Sequence, residues 1–270
     1  MRNCVRERCN LSPQIKGVFI DEVWRKDPKT GKEELVQRQK DHNVITQPFT
    51  ILVPALLAND PSLLGGILQH AIGEGDPSWD SGGVPTPSKF DTKLFNELDR
   101  RAPDGIVYLK YGEGRAQSGT TIAIIDPDRI DDSGLNGRFE PDDFFVGMQL
   151  EIIDGTNKGE IRTVVDYTQA TGEIIVDTPF PGPIDNTSYY QFVPVVSTTP
   201  TNVIEVRTTW DYGDPSDPVN YKYIREQGLF GGTATSVRDS GYMVDRITHV
   251  AIWKEPVIKL IRFIQLLFRI

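Results

Sequence analysis

Acidic side chains form the densest cluster of potential ligands in this sequence. Four aspartates precede Gly134: Asp126, Asp128, Asp131 and Asp132. Calcium loops place oxygen ligands at alternating positions and a glycine at the sixth. Here Ile130 occupies the fifth position and an aspartate the sixth, so the calcium pattern is broken. We interpret the segment as a solvated acidic turn and predict no metal site.

Other candidate ligands are equally incomplete. Gly73 and Gly75 enclose Glu74, but a phosphate-binding loop needs a further glycine before a helix, or a Gly-Lys-Ser/Thr run. We therefore predict a structural turn. The thiol and imidazole groups are Cys4, Cys9, His42, His70 and His249. Two cysteines and three widely spaced histidines do not form a four-ligand zinc site, and His70, in an apolar strand-like stretch, is interpreted as a hydrogen-bonded structural residue.

Motifs for covalent or hydrolytic catalysis are absent as well. The sequence has neither a Gly-x-Ser-x-Gly elbow nor a His-Glu-x-x-His pair. Glycoside hydrolysis needs two carboxylates that face one cleft, and with 38 acidic residues some pair can always be nominated. A polysaccharide hydrolase is therefore the least favoured hypothesis. We predict a non-enzymatic protein without catalytic residues or cofactors.

Aromatic residues suggest a second hypothesis, a receptor- or glycan-binding protein. Trp79, Tyr189 and Tyr190 are of the types that stack on sugars. Trp210 and Trp253 lie inside strand-like patterns, which favours core packing. Trp79 lies in a loop rich in Gly, Pro and Ser, and it is the best single candidate for an interface residue.

The charge balance limits the partners. The 270 residues include 29 Lys and Arg against 38 Asp and Glu, a net charge of −9. A nucleic-acid-binding surface needs a basic excess, so we predict no nucleic-acid partner. The first ten residues are charged, which predicts no signal peptide. The apolar segment 257–270 is short and holds three cations, so it predicts no membrane insertion.

The pattern along the chain predicts many strands and a few short helices. Residues 15–39 indicate a hairpin with a turn at 27–32 and an exposed return arm from Glu33 to Gln39. Proline and N-cap signals predict short helices at 48–57 and 63–68, and leucine spacing predicts another at 90–101.

A change in composition marks a separate module. From Ser118 to Phe192 the sequence is almost entirely strand-like segments and glycine turns. We predict an inserted β-barrel or β-sandwich module at 115–196, between core halves at 1–114 and 197–270. The fold class is then α+β, mostly β. Its discontinuous core has short N-terminal helices and antiparallel C-terminal strands.

Four strands are expected in the second half of the core: 203–210, 221–230, 242–253 and 257–270. The last segment is ambiguous, because its polar residues are spaced three to four apart, which is helical periodicity. Its β-branched content favours a strand, and we predict a strand.

Three groups of short segments resemble known proteins. The sequence resembles tail structural proteins of double-stranded DNA bacteriophages at residues 43–46, 71–80 and 94–100 and then at 225–232 and 240–244. A small β module of phage tail and fibre proteins is similar to this chain at residues 144–148, 155–164, 166–167 and 187–190. Contractile injection systems related to phage tails share such parts.

The resemblance implies a structural component of the virion in the tail, the baseplate or the tail-fibre attachment region. Such a protein is made in the host cytoplasm and assembles with itself, as a trimer or six-fold ring, and with other tail proteins. A host-surface glycan is a further possible partner. The residues proposed for interfaces are Trp79, Tyr189, Tyr190, Phe268 and Ile270.

Overall fold

The computed structural model describes residues 14–49, 52–53, 56, 65–127, 140–215 and 222–269. Strands dominate these residues and pair in antiparallel ladders, so the prediction of a mostly β protein is confirmed. A short helix, α1, spans Trp79–Gly82. The strands are β1 (Gln14–Lys26), β2 (Glu33–Ile45), β3 (Ile67–Gly73), β4 (Glu97–Arg101), β5 (Gly105–Lys110), β6 (Glu113–Arg115), β7 (Ser118–Gly119), β8 (Ala123–Ile125), β9 (Gln149–Asp154), β10 (Ile161–Thr168), β11 (Glu173–Val176), β12 (Tyr189–Phe192), β13 (Val195–Ser197), β14 (Val203–Trp210), β15 (Lys222–Gly231), β16 (Tyr242–Lys254) and β17 (Ile258–Arg269).

The chain divides into two compact units. The first contains Tyr108–Val203 with Phe268, and the second contains Ile15–Val107 with Ile204–Leu267. The second unit is therefore discontinuous in sequence.

In the first unit, seven strands form one sheet in the order β6-β12-β9-β10-β11-β8-β7. Alternating residues of these strands face a common core, as expected for a sheet with one buried face. Phe145 and Phe192 stack at its centre, with 3.8 Å between ring centroids. Gly155, at φ +80°, begins the turn from β9 to β10, a backbone conformation that favours glycine.

In the second unit, the hydrogen-bonded order is β14-β17-β1-β2-β16-β15-β3-β4. The two ends of this order approach each other through side chains. Trp210 Nε1 on β14 donates to Asp99 on β4 over 3.0 Å, and the Thr208 hydroxyl lies 2.9 Å from His70 Nδ1 on β3. The strands therefore enclose a core. Its apolar part includes Val23, Ile72, Trp210, Ile224, Ile252, Ile258 and Leu260.

His70 and Trp210 confirm their sequence interpretation as structural residues. His70 is fully buried, with Nε2 2.9 Å from the Gln227 side-chain oxygen. Burial lowers the pKa of His70 to about 3, so the ring is neutral near pH 7. Trp210 is also completely buried and meets the His70 ring edge-on.

The predicted N-terminal hairpin is confirmed as β1 and β2. The Asp27 carboxylate accepts hydrogen bonds from the backbone N–H of Lys29 and Thr30, which orders the turn. The return arm Glu33–Gln39 is exposed except for the half-buried Gln39.

The predicted helix over Phe90–Arg101 is wrong, because Glu97–Arg101 is strand β4 and pairs with β3. Leu94, one of the leucines whose spacing indicated a helix, packs against Ala71 and Phe230 instead. Pairing along the edge of β3 satisfies backbone hydrogen bonds, and this tertiary contact outweighs a weak local helical preference.

The other two predicted helices have different outcomes. In the 63–68 segment, Ile67 and Leu68 belong to β3, so a helix there is wrong at its C-terminal end. Residues Ile67–Gly73 pair with β15 in an antiparallel ladder, and this pairing explains the strand. In the 48–57 segment, Phe49, Leu52, Val53 and Leu56 have helical backbone, and the remaining residues, apart from Pro48, lie outside the described ranges.

The last segment is strand β17, as predicted. Arg262, whose position produced the helical spacing of polar residues, is completely buried in the second unit. Its Nη2 lies 3.1 Å from Asp21 Oδ2 and 3.0 Å from His249 Nε2. On the inner face of β17, Arg262 thus occupies a position where the strand pattern predicts an apolar residue. This interrupts the two-residue period of buried apolar side chains in the sequence.

Candidate assembly surfaces

The second unit brings together residues 71–80, 94–100, 225–232 and 240–244, which the sequence analysis singles out. Glu226, from the stretch at 225–232, is fully buried. Its carboxylate accepts hydrogen bonds from the backbone N–H of Phe95 and Asn96, at 3.0 and 2.8 Å. It also forms a 2.6 Å ion pair with Arg246. The carboxylate therefore has donors on several sides and joins the 94–100 stretch to β15 and β16.

Arg225 connects the same strand to the 71–80 stretch. Its Nε and Nη2 donate to the two carboxylate oxygens of Asp80, at 2.9 and 2.6 Å, and its Nη1 donates to the carbonyl of Glu74. The hydrogen bond from Arg225 lowers the pKa of Asp80. The bidentate pair holds α1 against β15, and the bond to Glu74 holds the loop before it.

Arg100 makes the third connection, to the 240–244 stretch. It forms a buried bidentate ion pair with Glu97, with both N–O distances 2.6 Å, and donates to the Ser240 carbonyl at 2.9 Å. Its guanidinium also lies 4.4 Å from the centroid of the Phe230 ring. The charged residues of these four stretches thus pair with one another and hold their loops in place.

Replacing Glu226 with glutamine is expected to lower the free energy of unfolding by about 2 kcal/mol, because an amide nitrogen then faces buried donors. Urea denaturation would measure the loss. Glu160→Gln is the matched control, since the Glu160 side chain in its pair with Arg162 is partly exposed, and we expect a change below about 1 kcal/mol. Equal effects of the two substitutions would contradict this role for Glu226.

Trp79, the leading interface candidate from the sequence, lies at the start of α1 and is half-buried. Its ring covers Gly75, which has φ +60°, and lies 5.8 Å from the Phe95 ring centroid. Phe95 is 62% exposed. The surface at this point therefore includes Phe95, which the sequence interpretation had assigned to a helix.

Tyr189 and Tyr190, on β12 of the first unit, have different environments. Tyr189 is half-buried, with the Arg115 guanidinium 5.4 Å from its ring centroid. Tyr190 is buried in the core, and its hydroxyl donates to Asp126 Oδ2 over 2.7 Å. The prediction that Tyr190 lies at an interface is wrong for the folded chain, because successive strand residues point to opposite faces. Asp126 is likewise buried, whereas the other three aspartates of its cluster lie outside the described residues.

Replacing Tyr190 with phenylalanine is expected to destabilise the chain by about 1–2 kcal/mol, because Asp126 loses a buried donor. Thermal unfolding followed by circular dichroism would measure it. Tyr189→Phe removes the same hydroxyl from the neighbouring residue and should cost less. Indistinguishable melting curves for the two variants would show that the Tyr190 hydroxyl has no structural role.

Phe268 and Ile270 were predicted to lie at an interface near the end of β17. Phe268 is half-buried, its N–H donates to the Asn202 carbonyl, and its carbonyl accepts from the Asn202 amide at 3.1 Å. Ile270 lies outside the described residues.

The second unit has an exposed aromatic pair that the sequence analysis does not predict. Trp253, predicted to be a core residue, is 51% exposed, and Tyr223, its register partner on β15, is 44% exposed. Their ring centroids are 6.1 Å apart. Trp253 faces outward because its neighbours Ile252 and Lys254 take the buried positions. The alternation in the sequence of β16 separates the two faces of the strand, but it does not identify which of the two is buried.

Comparison with protein-family models and with curated proteins finds no match for this chain. Within the described ranges, no three His, Cys, Asp or Glu side chains are grouped so as to hold a metal ion. None of the helices in the described part of the chain has the length and apolar character of a membrane span.

Proposed function

We propose that this chain is a non-enzymatic structural component of a phage tail or of a related contractile injection system. Its place would be the tail, the baseplate or the tail-fibre attachment region. It would act by symmetric assembly with copies of itself, as a trimer or a six-fold ring, and with other tail proteins. The resemblance of its sequence stretches to tail structural proteins supports this role.

One structural observation carries the proposal. The charged residues of the resembling stretches, Arg100, Arg225 and Glu226, are used in ion pairs and backbone hydrogen bonds within the second unit. Catalytic groups need an open face toward a substrate, and these side chains are instead buried and paired. Charged side chains that pair within the unit and hold its loops in a fixed conformation suit a protein whose surfaces contact other subunits.

We propose the finer architecture in the same terms. Residues 1–114 and 197–270 would form a core that docks on the tail, and 115–196 would form an inserted module that contacts a neighbour or a fibre. The pairing of Lys110 with Val195 supports the insertion, since it brings the entry and exit of this segment side by side. The core and the module then need only short connections.

Position in a particle is the direct test of the proposed role. Immunogold electron microscopy of purified particles should place the chain on the tail, and quantitative mass spectrometry should give a copy number divisible by three. A chain absent from particles, or found as a free monomer that turns over a substrate, would contradict the proposal.

A deletion tests the proposed insertion separately. Replacing residues 112–193 with a short glycine-serine turn should leave a soluble protein with cooperative unfolding, because β5 and β13 can still pair. We expect this shortened chain to enter particles. A shortened chain that fails to fold would contradict a separable insertion between β5 and β13 and leave the role in the tail untouched.

A further inference from the structure

We propose that the free edge of β2, residues 33–42, binds the same edge of a second copy of this chain by antiparallel strand pairing. The inference rests on the proposed function only in that the chain works by association with its own copies. It adds the surface and the partner, which the proposed function leaves unspecified.

Strand β2 has an unusually long open edge. It pairs with β1 along most of its length, from Glu33 to Asn43. On its other side, the described residues show pairing with β16 at only two positions, Ile45 with Asp245 and Val44 with Arg246. Among the residues that the structure describes, the backbone N–H and C=O groups on this side of residues 33–42 have no strand partner, and such an edge is a template for another strand.

Some features that protect an edge strand are present in β2 and others are missing. Natural edges are short, covered, charged, bulged or interrupted by proline, and β2 has charged side chains and a register shift opposite Val23/Trp24. Residues 33–45 contain no proline, and every side chain from Glu33 to His42 except Gln39 is exposed. Leu35 and Val36, 43% and 39% exposed, lie near the middle of the edge. An edge with exposed apolar residues at its centre is suited to pairing.

The charges of the edge are ordered by sign along one face. Register partners in an antiparallel pair share a face, and residues two apart on β1 do so as well. Ile20, Glu22, Trp24 and Lys26 of β1 are paired, in that order, with Lys40, Arg38, Leu35 and Glu33 of β2. The register shift at Val23/Trp24 puts the last two on the same face as the first two. This face therefore has cations at one end, an apolar side chain in the middle and a carboxylate at the other end.

Such a face is complementary to itself only when a second copy runs antiparallel. Glu33 of each copy then lies beside Lys40 of the other, and Leu35 lies beside the aliphatic part of Arg38. In the same register Glu34 meets the uncharged Gln39, so no like-charged pair forms. Opposite charges across strands stabilise pairing and like charges oppose it. The contact is isologous, with a two-fold axis between the copies, and is additional to any contact that closes a ring.

Charge exchange at this edge tests the inference. Sedimentation velocity of the full chain over a range of concentrations would compare the natural sequence with Lys40→Glu, Glu33→Lys and the double variant. Each single substitution makes two symmetric pairs like-charged and should weaken dimerisation by about tenfold. The double variant keeps the net charge and restores opposite pairs, so its dimer should recover to within about threefold.

A matched control and a second readout separate this contact from general effects. Lys158→Glu makes the same charge change on the exposed surface of the first unit and should leave dimerisation unchanged. Hydrogen exchange should slow at the amides of residues 33–42 as concentration rises. Glu33→Lys also loses the ion pair with Lys259, so the unfolding free energy of each variant is measured alongside.

A chain that stays monomeric up to about 100 μM, the range of weak contacts, would overturn the inference. So would a dimer whose affinity Lys40→Glu leaves unchanged, which would place the contact elsewhere and leave the structural role in a tail intact. A charge-dependent dimer that never enters particles would contradict the proposed function alone.

Discussion

Replacing Asp21 with asparagine is expected to lower the free energy of unfolding by about 3 kcal/mol at neutral pH. Asp21 and Arg262 are both completely buried, and 3.1 Å separates the carboxylate from the guanidinium. The Gln39 amide also donates to Asp21, at 3.1 Å. Asparagine keeps the shape but leaves the arginine charge without a counter-charge in a buried site.

The pKa values in this pair show the opposing forces. Burial raises the pKa of Asp21, and the positive charge of Arg262 counteracts that rise. Burial also lowers the pKa of Arg262, which Asp21 opposes in turn. Each charge is therefore acceptable in the core chiefly because the other is present, and losing one partner costs more than the pair itself contributes.

Removing both charges tests that explanation. The double variant Asp21→Leu with Arg262→Met should be within about 1 kcal/mol of the natural chain, or more stable, since apolar residues can replace a buried ion pair. Asp154→Asn, which breaks a fully exposed pair with Lys158, should leave the free energy of unfolding almost unchanged. Urea denaturation gives all three values. A double variant as unstable as Asp21→Asn would show that the pair is needed for more than neutralisation.

Asp245→Asn is expected to gain free energy of unfolding relative to the natural chain, and this gain is expected to increase as the pH rises from about 4 to 7. Burial raises the pKa of Asp245 from 3.8 to about 7, against the lowering effect of hydrogen bonds from the Leu229 N–H and the Asn43 amide. The folded chain therefore holds this proton where the unfolded chain has lost it. Stability from this group is complete below pH 3.8 and is lost as pH rises toward 7.

Asparagine does not titrate, so it escapes that loss. Relative to the natural chain, Asp245→Asn should gain about 2 kcal/mol between pH 5 and pH 7 and little more above pH 8. Unfolding free energies from urea titrations at these pH values would measure the difference. His70 and His249, whose pKa values burial lowers to about 3, titrate in both chains and cancel. A difference that stays constant from pH 5 to pH 7 would mean that Asp245 is ionised throughout.

Local patterns were sufficient for most strands. The hairpin of β1 and β2 follows from the Asp-Pro and Gly signals of its turn, where Asp27 bonds the next backbone amides. Strand β14 has the predicted bounds, Val203–Trp210, and its buried residues Val206, Thr208 and Trp210 are two positions apart. Two-residue alternation and turn-forming residues span only a few positions. Strands and turns can therefore be recognised from the local sequence without the rest of the chain.

Local patterns failed where a distant partner decided the outcome. Residues 97–101 form β4 because the edge of β3 is available to pair with them. Tyr190 is buried and Trp253 is exposed, although both lie in alternating strands, because alternation separates two faces without identifying the inner one. The face is chosen by the strands packed against it.

The order of amino acids alone was enough to specify strands, turns and an acidic chain without a recognisable catalytic motif, because these depend on composition and on neighbours a few residues apart. The burial of Arg262 beside Asp21, and the open edge of β2, became visible only in the folded chain. Both depend on contacts between segments far apart in sequence, and the free energy of such contacts has no local signature.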